Sequence, residues 1–122
     1  MSLRMIRELT TGLRELLSDD SIGAIVVRSE GDALCIGMDL GSLKAEEETP
    51  GEVIEARIHL HAELLDSPKP IVVALCGPAY GGAAALALSC DFLIAADDAL
   101  VNLPEVRLSM VAWMNAAVIT RR

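Results

Sequence analysis

The chain has no Cys-x-x-C pair, and its three cysteines, Cys35, Cys76 and Cys90, are odd in number and far apart. A disulfide framework or zinc site is therefore not expected, and the pattern suits a reducing compartment. Each cysteine lies in an apolar stretch, where it is expected to pack as a small hydrophobe. Basic charge is also scarce: 10 Lys and Arg stand against 18 Asp and Glu, a formal net charge of −8. Nucleic acid and anionic membrane, both of which favour a basic surface, are excluded as partners on that ground. No apolar run is long enough to span a bilayer, because the longest, Ala83 to Leu88 with its flanks, is broken by Ser89-Cys90-Asp91. The N-terminus lacks the uninterrupted apolar stretch of a signal peptide. A soluble, cytoplasmic protein is expected. His59 and His61 are two apart on a predicted helix and point different ways, so surface or packing roles are expected and no metal site is assigned.

Among what is present, apolar residues make up 52% of the 122 residues, enough to bury one core in one domain. Leu3, Ile6, Leu9, Leu13, Leu16 and Leu17 recur at helical spacing, and Ser18-Asp19-Asp20 ends that run. Ile22 to Ser29 reads as a strand, Glu52 to Leu65 as a second long helix, Ile71 to Cys76 as a strand, Gly82 to Ser89 as a small-residue helix, and Phe92 to Ala95 as a strand, with Leu100 to Asn102 as a fourth. Strands separated by helices imply right-handed parallel crossovers, and the pattern alone predicts a three-layer α/β domain. Glu46-Glu47-Glu48 reads as an exposed loop ending at Pro50-Gly51.

Two turns carry the candidate chemistry. The strand Ile71-Val72-Val73-Ala74-Leu75 runs into Gly77-Pro78-Ala79-Tyr80-Gly81-Gly82, and a helix restarts behind the glycines. Unpaired N–H groups at such a helix start favour an anionic oxygen, and glycine lets a ligand carbonyl approach the backbone or supplies a positive φ. A second turn, Cys35-Ile36-Gly37-Met38-Asp39-Leu40, follows the strand Ala24-Ile25-Val26-Val27, with Asp39 placed to cap a short helix to Lys44. One N–H from each turn, aimed at one oxygen, would make an oxyanion hole. The glycines do not fit the G-x-G-x-x-G spacing of a dinucleotide-binding turn.

Taken in series, Ile25-Val26-Val27-Arg28, Leu34 to Leu40, Pro68 to Ala74, Gly77 to Gly82, Cys90-Asp91-Phe92-Leu93-Ile94-Ala95-Ala96 and Leu103-Pro104-Glu105-Val106 closely resemble the crotonase superfamily of enoyl-CoA hydratases and isomerases over nearly the whole chain. The resemblance implies an α/β fold of the crotonase-like ββα spiral (ClpP/crotonase type), incomplete at both ends. It implies an acyl-CoA thioester as substrate, with coenzyme A entering only as part of that substrate and no separate cofactor. It places the oxyanion-hole N–H groups at Met38 and Gly82, and it implies a homo-oligomer, a trimer or hexamer.

The hydratases of that family use two carboxylates, which fall here on Ala85 and Glu105. One is missing, so isomerase-type proton transfer by Glu105 is favoured over hydration, which divides its work between two acids. A decarboxylase of the same superfamily, or a catalytically silent binding or assembly module, remains the alternative. Tyr80, Trp113 and Met114 are assigned to the substrate pocket, with Met110 beside them; Trp113 reads equally well as a core aromatic. The glycine-free run after Glu105 should alter the pocket floor, and Arg28, Lys44 and Lys69 are candidates for the CoA phosphates. The family domain is longer. A strand pair is expected before Leu3 and further helices beyond Arg122, so residues 1–122 read as one partial core domain, either a truncated product or a gene encoding this half, with Met1-Ser2-Leu3 as a leader. Apolar surface left uncovered by such a half is expected to drive association.

Overall fold

In the computed structural model, which describes residues 1–44, 49–109 and 111–120, the periodic N-terminal stretch forms α1, Leu3–Ser18. Ser2 caps it, its hydroxyl accepting the Met5 N–H at 3.3 Å, and Leu3, Ile6, Thr10 and Leu13 form its buried stripe. There follow β1 (Ile25–Arg28), α2 (Leu40–Lys44), α3 (Pro50–Leu65), β2 (Ile71–Leu75), β3 (Ala79–Tyr80), α4 (Gly82–Ser89), β4 (Phe92–Ala95), β5 (Val101–Asn102), a 3-10 turn over Pro104–Leu108, and α5 (Trp113–Ile119).

The strands make two parallel sheets, one ordered β1-β2-β4 and one pairing β3 with β5. Ile25 lies opposite Ile71 and Val72 opposite Phe92, so residues of like face line up across the first sheet. Ile25, Ile71, Val73 and Leu75 point into a core shared with Ile6, Val53, Leu60 and Leu86 of the helices. Their neighbours on the opposite face, Val26, Phe92 and Ile94, are each more than 60% exposed. The pattern-based expectation of three layers is corrected accordingly: among the described residues the helices cover one face of this sheet.

Several boundaries move for local reasons. β1 starts at Ile25 because the Ile22 N–H is taken by the Asp19 carbonyl in a turn (3.0 Å). α3 starts at Pro50 because Thr49 and Glu52 cap each other reciprocally, Glu52 N–H to Thr49 Oγ1 at 3.3 Å and Thr49 N–H to Glu52 Oε2 at 3.2 Å; proline at the first helical position loses no hydrogen bond. Met1 is buried, and its carbonyl accepts the Asp39 N–H at 3.0 Å. Cys76 is exposed, against the expectation of apolar packing, while Cys90 is buried. The acidic run at 46–48 lies outside the described residues.

Candidate active site

The two glycine turns meet because β3, only two residues long, is paired on both sides. On one side the Leu34 N–H donates to the Pro78 carbonyl and the Tyr80 N–H to the Cys35 carbonyl, both at 3.0 Å, with Cys35 opposite Ala79 in parallel. On the other, the Ala79 and Gly81 N–H groups donate to the Leu100 and Asn102 carbonyls, both at 2.8 Å. Three segments therefore run side by side in one direction. Their continuations, Gly37-Met38, Gly81-Gly82 and Pro104-Glu105, emerge at the same end. β3 went unseen in the sequence because it is short and lies between a proline and a glycine pair.

Both turns need glycine. Gly37 has φ of 108° and lies with its Cβ direction 3.3 Å from the Tyr80 carbonyl oxygen. Gly81 has φ of 55°, and a Cβ there would stand 3.1 Å from Glu105 Oε1. Gly82 opens α4, whose residues 82–87 are all buried, Ala85 completely. Among the described residues, no backbone carbonyl accepts the Met38 or Gly82 N–H. Both residues line a cavity of about 230 Å³, together with Tyr80, Glu105 and Trp113. Trp113 is 59% exposed, so it stands at the rim and is not a core aromatic. Met110 lies outside the described residues, as does the side chain of Met114.

Among the described residues Glu105 is the only acidic one of that lining. Its Oε1 accepts the Asn115 side-chain N–H at 2.5 Å, and its Oε2 is buried with no partner among the described residues. The Asn115 oxygen in turn accepts from Arg57 Nη2 at 2.8 Å. Arg57 is buried, with its Nε unpaired, and burial pulls its pKa down while the Glu105 charge pulls it up. One turn further along α3, His61 is held in the interior by a 2.8 Å hydrogen bond between its Nδ1 and Ser89 Oγ. Burial, and then the Arg57 charge, push the His61 pKa down to about 4. His59, by contrast, is exposed.

Arg57 and Asn115 were not anticipated. A signal for Arg57 existed: it falls on the stripe Val53, Leu60, Leu64 that α3 buries, where an arginine needs a polar destination. Asn115 sits among apolar neighbours with no comparable pattern. After Glu105 the chain turns without glycine by placing Ser109 at φ of 55°. Asp39 caps α2 as expected, its Oδ1 accepting the Gly41 and Ser42 N–H groups at 2.9 and 3.3 Å, which holds its carboxyl below the usual range. Lys69 does not face an open phosphate site. Its ammonium donates to the Leu16 and Asp19 carbonyls at 2.9 and 2.6 Å, closing the end of α1. Arg28 is exposed, and the Lys44 side chain lies outside those described.

Among the described residues no group of three or more His, Cys, Asp or Glu is gathered for a metal ion, and no helix is long and apolar enough to cross a membrane. The family model for enoyl-CoA hydratase/isomerase matches residues 1–122. A probable enoyl-CoA hydratase, echA6, of Mycobacterium bovis is 36% identical over 110 residues, covering 90% of this chain and 43% of that protein. A putative enoyl-CoA hydratase of Thermus thermophilus is 30% identical over 125 residues, covering 99% of this chain and 49% of the other. Among solved structures, Pseudomonas aeruginosa AtuE superposes with a TM-score of 0.89 at 32% identity, covering all of this chain and 49% of that one. The chain thus spans about half the length of the relatives it matches. With the paired glycine turns, the ββα connectivity and this match along its whole length, the chain belongs to the enoyl-CoA hydratase/isomerase family and has the crotonase fold, in part.

Proposed function

We propose that this chain carries the reacting centre of an enzyme that moves a double bond in an acyl-CoA thioester. The thioester carbonyl sits between the Met38 and Gly82 N–H groups, which stabilise the enolate formed when a proton leaves carbon 2. Glu105 takes that proton and returns it to carbon 4, so that a 3-enoyl thioester becomes a 2-enoyl thioester with no net gain or loss of atoms. Each aligned donor of this kind contributes on the order of 3 kcal/mol.

The observation that carries this reading is the lone carboxylate: among the described residues Glu105 is the only acid lining the cavity, and its Oε2 is buried and unpaired. Hydration needs a second acid, and Ala85, fully buried within α4, supplies none. Coenzyme A enters as part of the substrate, and no other cofactor is required. The assembly is a homo-oligomer, trimer or hexamer, in keeping with the apolar sheet face at Val26, Phe92 and Ile94. A reducing cytoplasm suits the cysteines.

The test is Glu105→Gln in the full chain. Isomerisation of a 3-enoyl-CoA is expected to fall by about 100-fold or more, while calorimetric titration still registers acyl-CoA binding. Retained turnover would place the base elsewhere. Binding without turnover in the unaltered chain would favour the decarboxylase, to be assayed with a 2-carboxyacyl thioester, and absence of both would leave the assembly module.

A further inference from the structure

Arg57 is only 6% exposed, yet it pairs with no carboxylate among the described residues; the ion pairs there are Arg4–Glu8 and Arg14–Glu63. A buried guanidinium without a counterion is costly, so its retention asks for a purpose. Its hydrogen bond goes to a neutral amide. Asn115 accepts from Arg57 with its oxygen and donates to Glu105 Oε1 with its nitrogen, so the side chain works as a bipolar link between cation and anion.

We infer that Arg57, acting through Asn115, is a positioning residue that ties one oxygen of Glu105 and leaves the other, among the described residues, without a partner beside the cavity that Glu105 lines. The inference rests on the reading of Glu105 as the base. Had the guanidinium met Glu105 directly, its planar fork would have engaged both oxygens. With the amide between them, Oε1 is held and Oε2 is left without a hydrogen-bond partner among the described residues.

Gly82 makes room for this arrangement. A Cβ there would stand 2.7, 2.8 and 3.1 Å from Arg57 Nη2, Cζ and Nε, so the guanidinium lies with one edge against the glycine. The other charged or titratable groups around Glu105 are few. β3 contributes Tyr80, the 3-10 turn contributes exposed Arg107, and α4 and α5 carry no charged residue. Asp39, beyond Met38, is exposed and engaged with its own helix start.

The test compares Arg57→Met, Arg57→Lys and Asn115→Ala with Glu105→Gln in the full chain, following kcat and KM for a 3-enoyl-CoA across pH. Arg57→Met is expected to lower kcat by about tenfold to 100-fold with KM nearly unchanged. Arg57→Lys, which keeps a cationic donor in place, should restore most of the lost kcat. A folded Arg57→Met protein with kcat unmoved overturns the inference. If Arg57→Met does not fold, Asn115→Ala decides the matter: the same fall in kcat supports the relay, and an unchanged kcat overturns it. Turnover surviving in Glu105→Gln overturns the reading of Glu105 as base. Loss there, with kcat unmoved in Arg57→Met, overturns the relay alone.

Discussion

Gly82 lies directly against the Arg57 guanidinium, and a β-carbon on it would stand 2.7 Å from Nη2 and 2.8 Å from Cζ. Gly82→Ala therefore displaces a buried cation whose Nη2 is already committed to Asn115. The expected cost is about 1–3 kcal/mol of stability, read by chemical denaturation, with isomerase turnover falling further than stability alone explains. An alanine variant as stable and active as the original would show that the arginine moves aside freely.

Gly81 is constrained by conformation as well as by space. Its φ of 55° with ψ of −118° is backbone that a side chain resists, and a Cβ would approach Glu105 Oε1 to 3.1 Å. Gly81→Ala is expected to destabilise by about 1–3 kcal/mol and to push the Glu105 carboxylate from its place. Equal melting temperatures for the two proteins would contradict this.

The buried His61 ties stability to pH. Its pKa is pushed down to about 4, mainly by burial, so the unfolded chain takes up a proton at a higher pH than the folded one does. The associated stability is fully present above the unfolded value near 6.5 and is lost as the pH falls from there towards 4, amounting to on the order of 3 kcal/mol. His61→Gln should remove this dependence, so the difference in unfolding free energy between the two proteins should shrink or reverse across that window. Parallel curves from pH 7 to 4 would argue against a neutral buried imidazole.

Thr49 offers a test away from the site. Its hydroxyl accepts the Glu52 N–H while the Glu52 carboxylate accepts the Thr49 N–H, closing the first turn of α3. Thr49→Ala should cost about 1 kcal/mol in denaturant unfolding, and Thr49→Ser should cost far less.

How much of this was legible in the residues depends on the range of the interaction. Helix α1 was plain because its stripe repeats over four turns, and Asp39 was plain because capping is a contact between near neighbours. The meeting of Met38, Gly82 and Glu105 in one cavity followed from the family resemblance, because no local spacing brings position 38 to position 105. What stayed hidden was non-local. β3 exists only through its partners on both sides, the bare face of the first sheet depends on what does not pack there, and Arg57 reaches Asn115 across 58 residues of chain. Lys69 was misread for the same reason: its carbonyl partners at Leu16 and Asp19 are about fifty residues away.

The parallel alignment of residues 34–38, 78–82 and 100–105 has a consequence for how such a protein can diversify. The spacing between the Met38 and Gly82 turns and Glu105 follows main-chain pairing at Cys35–Ala79 and Tyr80–Asn102, which is indifferent to side-chain identity. On the proposed reading, substitutions at Met38, Ala85 or Trp113 can thus retune which thioester is accepted, or which reaction its enolate undergoes, without dismantling the scaffold beneath. Chemistry on this framework is exchangeable, whereas the geometry beneath it is inherited as a unit.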